Sequence, residues 1–234
     1  MLLSNTIIKV MLSIIAFFPI LLSFSQTHSM QSSTKEYSML CLGDSYTIGE
    51  RVEEADRFPN QTILQLHSKG IYFENPRIIA ATGWTTDELM IAIQDADIHQ
   101  TYDIVTLLIG VNNQYRGRST EEYRLQFAEL LELAITFSGH QKNKVIVLSI
   151  PDWGATPFAE GRNREAIAKE IDQFNDINKE ESEKRGVHYL DITAISRKGM
   201  NDSSLIADDG LHPSGKMYAA WAELVTQVIK DEMK

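Results

Sequence analysis

SMLCLGDSYT, residues 38–47, is a short apolar run that ends in Gly43, Asp44 and Ser45. A run of this length, bounded by polar residues, is typical of a strand buried on both faces of a parallel sheet. Gly43 allows a tight turn where the strand ends. Because α/β folds place their functional groups at the carboxyl ends of parallel strands, this stretch predicts an α/β fold with Ser45 at the functional edge.

Four further apolar runs continue the strand pattern, and amphipathic helical stretches separate them. The runs lie at 77–81, 104–109, 144–150 and 187–190, and several are rich in β-branched residues. Helical stretches begin at capping sequences, TTDE at 85–88 and STEE at 119–122. This alternation predicts a parallel sheet of about five strands with helices on both faces, which is a three-layer α/β/α sandwich.

The N-terminal residues have the pattern of a secretory signal. Lys9 precedes an apolar run at 10–24, and small residues stand at −3 and −1 of a cleavage site after Ser25. The run is short for a membrane span and Pro19 interrupts it; an uncleaved membrane anchor is the alternative. We expect a secreted or periplasmic protein. Its predicted parts are a signal peptide at 1–25, a flexible lead-in at 26–36 and one domain at 37–234.

The composition argues against several classes of partner. The formal net charge is −10 at pH 7, so electrostatics disfavour nucleic acid or an anionic lipid surface. No stable membrane partner is expected after signal removal. Cys41 is the only cysteine, which excludes an internal disulfide. Its place in an apolar run predicts a small core side chain rather than a reactive thiol.

A second cluster, DGLHP at 209–213, supplies the groups that would activate Ser45. Pro213 keeps His212 out of the α region, and the helix that follows anchors it. Asp209 is close enough in sequence to accept the Nδ1–H of His212, which leaves Nε2 free to take a proton from Ser45. An isolated Asp-Gly pair is usually a solvated turn, and an isolated Asp-Ser pair is usually a helix cap. The combination of Ser45, His212 and Asp209 favours a nucleophilic triad.

Two more segments end strands at the same predicted edge. TGW at 82–84 follows one apolar run, and GVNN at 110–113 follows another. The backbone N–H of Gly83 and the side-chain amide of Asn112 are uncharged donors that suit an oxyanion hole. Either segment alone would be interpreted as a turn, because Gly and Asn favour turns.

These blocks together resemble the SGNH (GDSL-type) hydrolase family of esterases and lipases, and they occur in the family's order. The resemblance implies that Ser45, through its hydroxyl, is the nucleophile and, through its backbone N–H, an oxyanion donor beside Gly83 and Asn112. It also implies an Asp209–His212 pair, a flavodoxin-like strand order and no need for a metal or cofactor. The sequence departs from the family at Tyr46, where Leu is usual, and at Asn113, where many members have Asp.

The substrate is less well defined than the chemistry. Tyr46, Trp84, Tyr115 and Trp153 lie near the predicted edge and could line a substrate site, although each is also an ordinary packing residue. Export favours short-acyl esters or carbohydrate O-acetyl esters. The alternatives are lysophospholipase, lipase or thioesterase activity, or a catalytically silent carbohydrate-binding protein. A flavin or nucleotide binder would need a phosphate-cradling loop, which the sequence lacks.

Overall fold

A five-stranded parallel sheet organises the protein, in a computed structural model that describes residues 35–233. The predicted signal peptide and most of the lead-in lie outside the described residues. The strands are β1 (Glu36–Tyr37), β2 (Met39–Asp44), β3 (Tyr72–Phe73), β4 (Arg77–Ala81), β5 (Ile104–Leu108), β6 (Val145–Leu148) and β7 (His188–Leu190).

The order of strands in the main sheet is β4-β2-β5-β6-β7, with every pairing parallel. This is the flavodoxin-like order that the family resemblance implied, and the predicted α/β fold is confirmed. In chain order, β4 pairs with one edge of β2, and β5, β6 and β7 are then added on the other side of β2. Such a reversal opens a crevice beyond the carboxyl end of the strand, where ligands bind in this class of fold. Ser45 follows β2 immediately.

Helices cover both faces of the sheet. On one face α2 packs against α8, and on the other α5 packs against α3 and α6. The helices are α1 (Ser45–Ile48), α2 (Phe58–His67), α3 (Thr86–Asp95), α4 (Val111–Tyr115), α5 (Thr120–Phe137), α6 (Arg164–Arg185), α7 (Thr193–Ser196) and α8 (Gly215–Glu232). Within residues 35–233, none of these helices has the length and apolar character needed to cross a bilayer.

Burial follows the sequence pattern closely in the central strands and in the last helix. Every residue of β2 and β5 is buried, including Cys41, whose thiol pKa is raised by burial to about 12. Such a thiol stays protonated and inert at neutral pH. Met217, Trp221 and Ile229 of α8 are at most 1% exposed, as their helical spacing predicts.

The segment after β2 differs from the prediction. Sequence analysis predicted only a tight turn at the end of the strand, but Ser45–Ile48 is one helical turn, capped at its N-terminus by the side chain of Asp44. A turn this short has no apolar periodicity for sequence analysis to detect. Gly43 is required there for space rather than for its φ angle, because a Cβ would overlap the Thr47 hydroxyl and the Leu108 carbonyl.

A small additional sheet joins β1 to β3, with Glu36 paired to Tyr72 and Tyr37 to Phe73. Sequence analysis did not predict it, because two-residue strands show no alternation. Its pairing begins at Glu36, one residue before the predicted start of the domain.

Candidate active site

The structure brings the two distant blocks together at the carboxyl end of β2. Nε2 of His212 lies 3.0 Å from Oγ of Ser45, although 167 positions separate them in the chain. Nδ1 of His212 lies 2.6 Å from Oδ2 of Asp209. Ser45 and His212 are 5% and 7% exposed, so the serine–imidazole contact is largely shielded from solvent. The arrangement is a hydrogen-bonded chain from hydroxyl to imidazole to carboxylate.

Local backbone contacts fix the His212 loop. The Oδ1 atom of Asp209 accepts the backbone N–H groups of Leu211 and His212 at 2.9 and 3.0 Å, so the carboxylate is held from two sides. Ser214 caps α8 by accepting the backbone N–H of Met217. Burial acts to raise the pKa of Asp209, but the hydrogen bonds from His212 and the two backbone groups outweigh it, and the net pKa is lowered. Asp209 is therefore ionised at neutral pH.

Tyr46 supports the imidazole from behind. Its ring centre is 5.4 Å from that of His212 and 6.4 Å from that of Trp221 in α8. The side chain is only 3% exposed. Tyr46 thus contacts the cavity but also belongs to the packing that holds His212, which gives a physical role to one of the two residues at which the sequence departs from the family.

The predicted oxyanion donors line the same cavity as Ser45 and His212, with a volume of about 170 Å³. Gly83 has φ +83°, a conformation that L side chains rarely adopt. Within residues 35–233 its backbone N–H has no hydrogen-bond acceptor. Asn112 donates one amide N–H to the Trp84 carbonyl at 2.9 Å. That contact orients the amide and leaves its second N–H available to a ligand.

Asn113 has a structural role that suits an amide. It is fully buried; its Oδ1 accepts the backbone N–H of Thr86 at 3.1 Å, and its Nδ2 donates to the Thr86 hydroxyl at 2.7 Å. These bonds tie α4, which carries Asn112, to the start of α3. A neutral residue that both donates and accepts avoids placing a carboxylate in this buried position.

Three of the four predicted substrate aromatics reach the cavity. Tyr46, Tyr115 and Trp153 line it, together with Phe158 and Leu211, which sequence analysis did not single out. Trp84 is not among the lining residues of the described chain, because the turn before α3 directs it against the hydrophobic core. Phe158 lies in the segment after β6 that also holds Trp153, and its place in that segment is the signal by which sequence analysis could have found it.

Trp153 is held in place by α4. Its indole Nε1–H donates to Oε1 of Gln114 at 2.8 Å, and Nε2 of Gln114 donates to Glu170 of α6 at 2.7 Å. A single short helix therefore presents Asn112 and Tyr115 to the cavity and fixes the Trp153 wall beside them.

Asp44 is a fully buried carboxyl next to Ser45. Its Oδ1 accepts the backbone N–H of Tyr46 at 3.0 Å, and its Oδ2 has no partner in the described part of the chain. Burial is the main cause that raises the pKa of Asp44 from 3.8 to about 7, against the opposing effect of its backbone hydrogen bonds. The neutral acid is thus the form that the fold favours.

This raised pKa predicts a pH-dependent stability. The folded state holds the Asp44 proton more tightly than the unfolded state, so its stabilising effect is complete below 3.8 and is lost as pH rises through about 7. We expect Asp44→Asn to gain stability relative to wild type over that range, by up to a few kcal/mol. Urea unfolding of both proteins at several pH values measures this difference in the free energy of unfolding. A difference that is constant with pH, or that changes in the opposite direction, would contradict the prediction.

Comparison with known proteins agrees with the fold and the motifs. A model of the GDSL-like lipase/acylhydrolase family matches residues 41–220. No curated protein sequence matches the chain.

Among residues 35–233, no group of three or more His, Cys, Asp or Glu side chains is placed to hold a metal ion.

Solved structures share the fold at low sequence identity. A psychrotrophic esterase from Pseudoalteromonas sp., inhibited by monoethylphosphonate, is 14% identical, with a TM-score of 0.66 over 85% of this chain and 99% of that one. A lipase/acylhydrolase from Enterococcus faecalis is 21% identical, with a TM-score of 0.62 over 84% and 96%. An acetylxylan esterase from Geobacillus stearothermophilus is 18% identical, with a TM-score of 0.64 over 82% and 94%.

The family match covers well over half of the chain and includes every block on which the resemblance was based. The protein therefore belongs to the GDSL-like lipase/acylhydrolase family.

Proposed function

We propose that the protein is a serine ester hydrolase that works through an acyl-enzyme on Ser45. The observation that carries the proposal is the 3.0 Å contact between Oγ of Ser45 and Nε2 of His212, in a cavity that Gly83 and Asn112 also line. Membership of an acylhydrolase family supports the same reaction class.

In the proposed mechanism, His212 accepts the Ser45 proton as Oγ bonds to the ester carbonyl carbon. The carbonyl electrons move to oxygen, where N–H groups of Ser45, Gly83 and Asn112 stabilise the charge. Asp209 stabilises the imidazolium. His212 then gives its proton to the leaving alcohol as the C–O bond breaks. A water molecule, deprotonated by His212, attacks the acyl-enzyme, and the acid and the free serine are released.

Asn112→Ala is expected to lower kcat about 10²–10³-fold with little change in KM. The reason is that the amide donates to charge that exists only in the transition state. Steady-state kinetics on a p-nitrophenyl ester measure the effect, with Asn201→Ala, an exposed amide outside the cavity, as the control. A loss of less than about tenfold, or one that appears entirely in KM, would remove Asn112 from the oxyanion hole.

For the substrate, we propose short-acyl esters, carbohydrate O-acetyl esters included. The cavity of about 170 Å³ supports this, since sites for drug-sized ligands occupy roughly 300–1,000 Å³. The structural likeness to an acetylxylan esterase supports it too. Rates on p-nitrophenyl esters from acetate to palmitate test it, and we expect the highest kcat/KM at acetate or butyrate. A maximum at palmitate would favour a lipase or lysophospholipase, and a preference for acyl thioesters would favour a thioesterase.

We also propose that the protein is secreted or periplasmic. The support is the signal pattern at 1–25, and a membrane-anchored form is the alternative. N-terminal sequencing of the exported protein should begin at Gln26. Recovery of the intact chain in the membrane fraction would favour the anchored form.

A further inference from the structure

An arginine lies over the aromatic wall of the cavity. Tyr115, Trp153 and Phe158, called here the aromatic cluster, have ring centres 5.3 to 6.3 Å apart. The guanidinium carbon of Arg162 is 5.5 Å from the centre of Tyr115 and 5.3 Å from those of Trp153 and Phe158. All three rings line the cavity that contains Ser45 and His212.

The backbone holds Arg162 at this position. It lies in the turn between the short helix Pro157–Ala159 and α6, and its N–H donates to the Ala159 carbonyl at 3.1 Å. Asn163, the next residue, caps α6 through a side-chain contact to the N–H of Ala166. The position of the guanidinium is therefore fixed by contacts with three rings and by a defined turn of the backbone.

The charge of Arg162 is not neutralised by the protein. Two other arginines near the site are paired, Arg51 with Asp208 and Arg116 with Glu88. Arg162 has no carboxylate within ion-pair distance in residues 35–233, although the chain carries a net charge of −10. Its one side-chain hydrogen bond, from Nη2 to the Tyr115 hydroxyl, is long at 3.4 Å. Arg162 is exposed, so most of its N–H donors face solvent.

A guanidinium in this setting suits one kind of ligand. Contact with aromatic rings restricts the side chain while its exposed N–H groups remain available, and these N–H groups match the oxygens of a carboxylate or phosphate. The aromatic cluster is already occupied by a cation, which disfavours a second cationic group. We propose that Arg162 and the aromatic cluster bind an anionic group, carboxylate or phosphate, carried by the ester substrate. This inference rests on the proposed ester hydrolase function.

The test uses two pairs of esters that differ in charge. The first compares the mono-p-nitrophenyl ester of adipic acid with p-nitrophenyl hexanoate, which places the carboxylate on the acyl side. The second compares acetylglycerol phosphate with acetylglycerol, which places the phosphate on the alcohol side. We expect wild type to prefer the anionic member of at least one pair in kcat/KM by about three- to tenfold at low salt. The preference should weaken as salt is added.

Arg162→Gln should abolish this preference, and Arg162→Lys should restore part of it, since lysine keeps the charge but not the planar fork. Lys179→Gln is the matched control, because it removes one exposed positive charge about four turns further along α6. It should keep the wild-type preference.

The inference would be overturned by the absence of an anionic preference in both pairs, by a preference that survives in Arg162→Gln, or by a preference lost equally in Lys179→Gln. Faster hydrolysis of a choline ester than of its neutral analogue would also overturn it. Failure to hydrolyse any of the four esters would instead contradict the proposed hydrolase function, on which the inference rests.

Discussion

Ser45→Ala is expected to lower kcat for ester hydrolysis by about 10⁴-fold or more, with the protein still folded. Oγ of Ser45 makes its hydrogen bond to His212, and removal of one hydroxyl leaves the cap of α1 at Asp44 intact. The proposed nucleophile is thereby lost without disturbing β2. Rates on p-nitrophenyl acetate and the urea unfolding midpoint, measured on the same preparation, give both quantities.

Ser68→Ala is a suitable control, because this exposed serine at the end of α2 bonds only to a backbone carbonyl in its own turn. It should keep wild-type kcat. A serine-directed phosphonate should label wild type at residue 45 and fail to label Ser45→Ala. Near-normal turnover by Ser45→Ala would refute the proposed mechanism, and the absence of labelling in wild type would favour a carbohydrate-binding protein with no hydrolytic activity.

Asp209→Asn is expected to lower kcat about 10³–10⁴-fold. The Oδ1 position accepts two backbone N–H groups, so an asparagine would keep its carbonyl oxygen there and turn its NH₂ toward Nδ1 of His212. An N–H facing Nδ1 forces the imidazole proton onto Nε2. That tautomer cannot accept the proton of Ser45, and the neutral amide cannot stabilise an imidazolium. Steady-state kinetics across pH measure the loss.

Asp208→Asn provides the matched comparison. Its side chain is 76% exposed and pairs with Arg51 rather than with His212. A change of the same kind one residue away should therefore leave kcat within about twofold of wild type, since exposed ion pairs contribute little. Equal losses in the two variants, or a loss below about tenfold in Asp209→Asn, would show that Asp209 is not the partner that orients His212.

Regular elements with strong periodicity were predictable. The strands β2, β5 and β6 are mainly apolar, which indicates burial on both faces of the sheet. In α8 the apolar residues repeat at helical spacing, which indicates that one face of the helix is buried. The blocks around Ser45, Gly83, Asn112 and His212 were also visible, and the cavity contains all four residues.

Short or irregular elements were not predictable. The single turn α1 and the two-residue strands β1 and β3 are stabilised by caps and pairings with distant residues rather than by a repeating pattern. Trp84 shows the same limit for a side chain: its position near the edge suggested the cavity, whereas packing directs it to the core. The contact of Arg162 with Tyr115 joins two segments that are far apart in the chain, which no local pattern encodes.

The amino-acid sequence by itself determined the strand and helix alternation, the family and the chemical types of the residues at the sheet edge, because these depend on local periodicity and short motifs. Only the tertiary structure decided that Oγ of Ser45 lies 3.0 Å from Nε2 of His212, that burial raises the pKa of Asp44 to about 7, and that the guanidinium of Arg162 contacts aromatic rings that line the cavity. Distance, burial and charge pairing arise from contacts between segments far apart in the chain, so they exist only after the sheet has assembled.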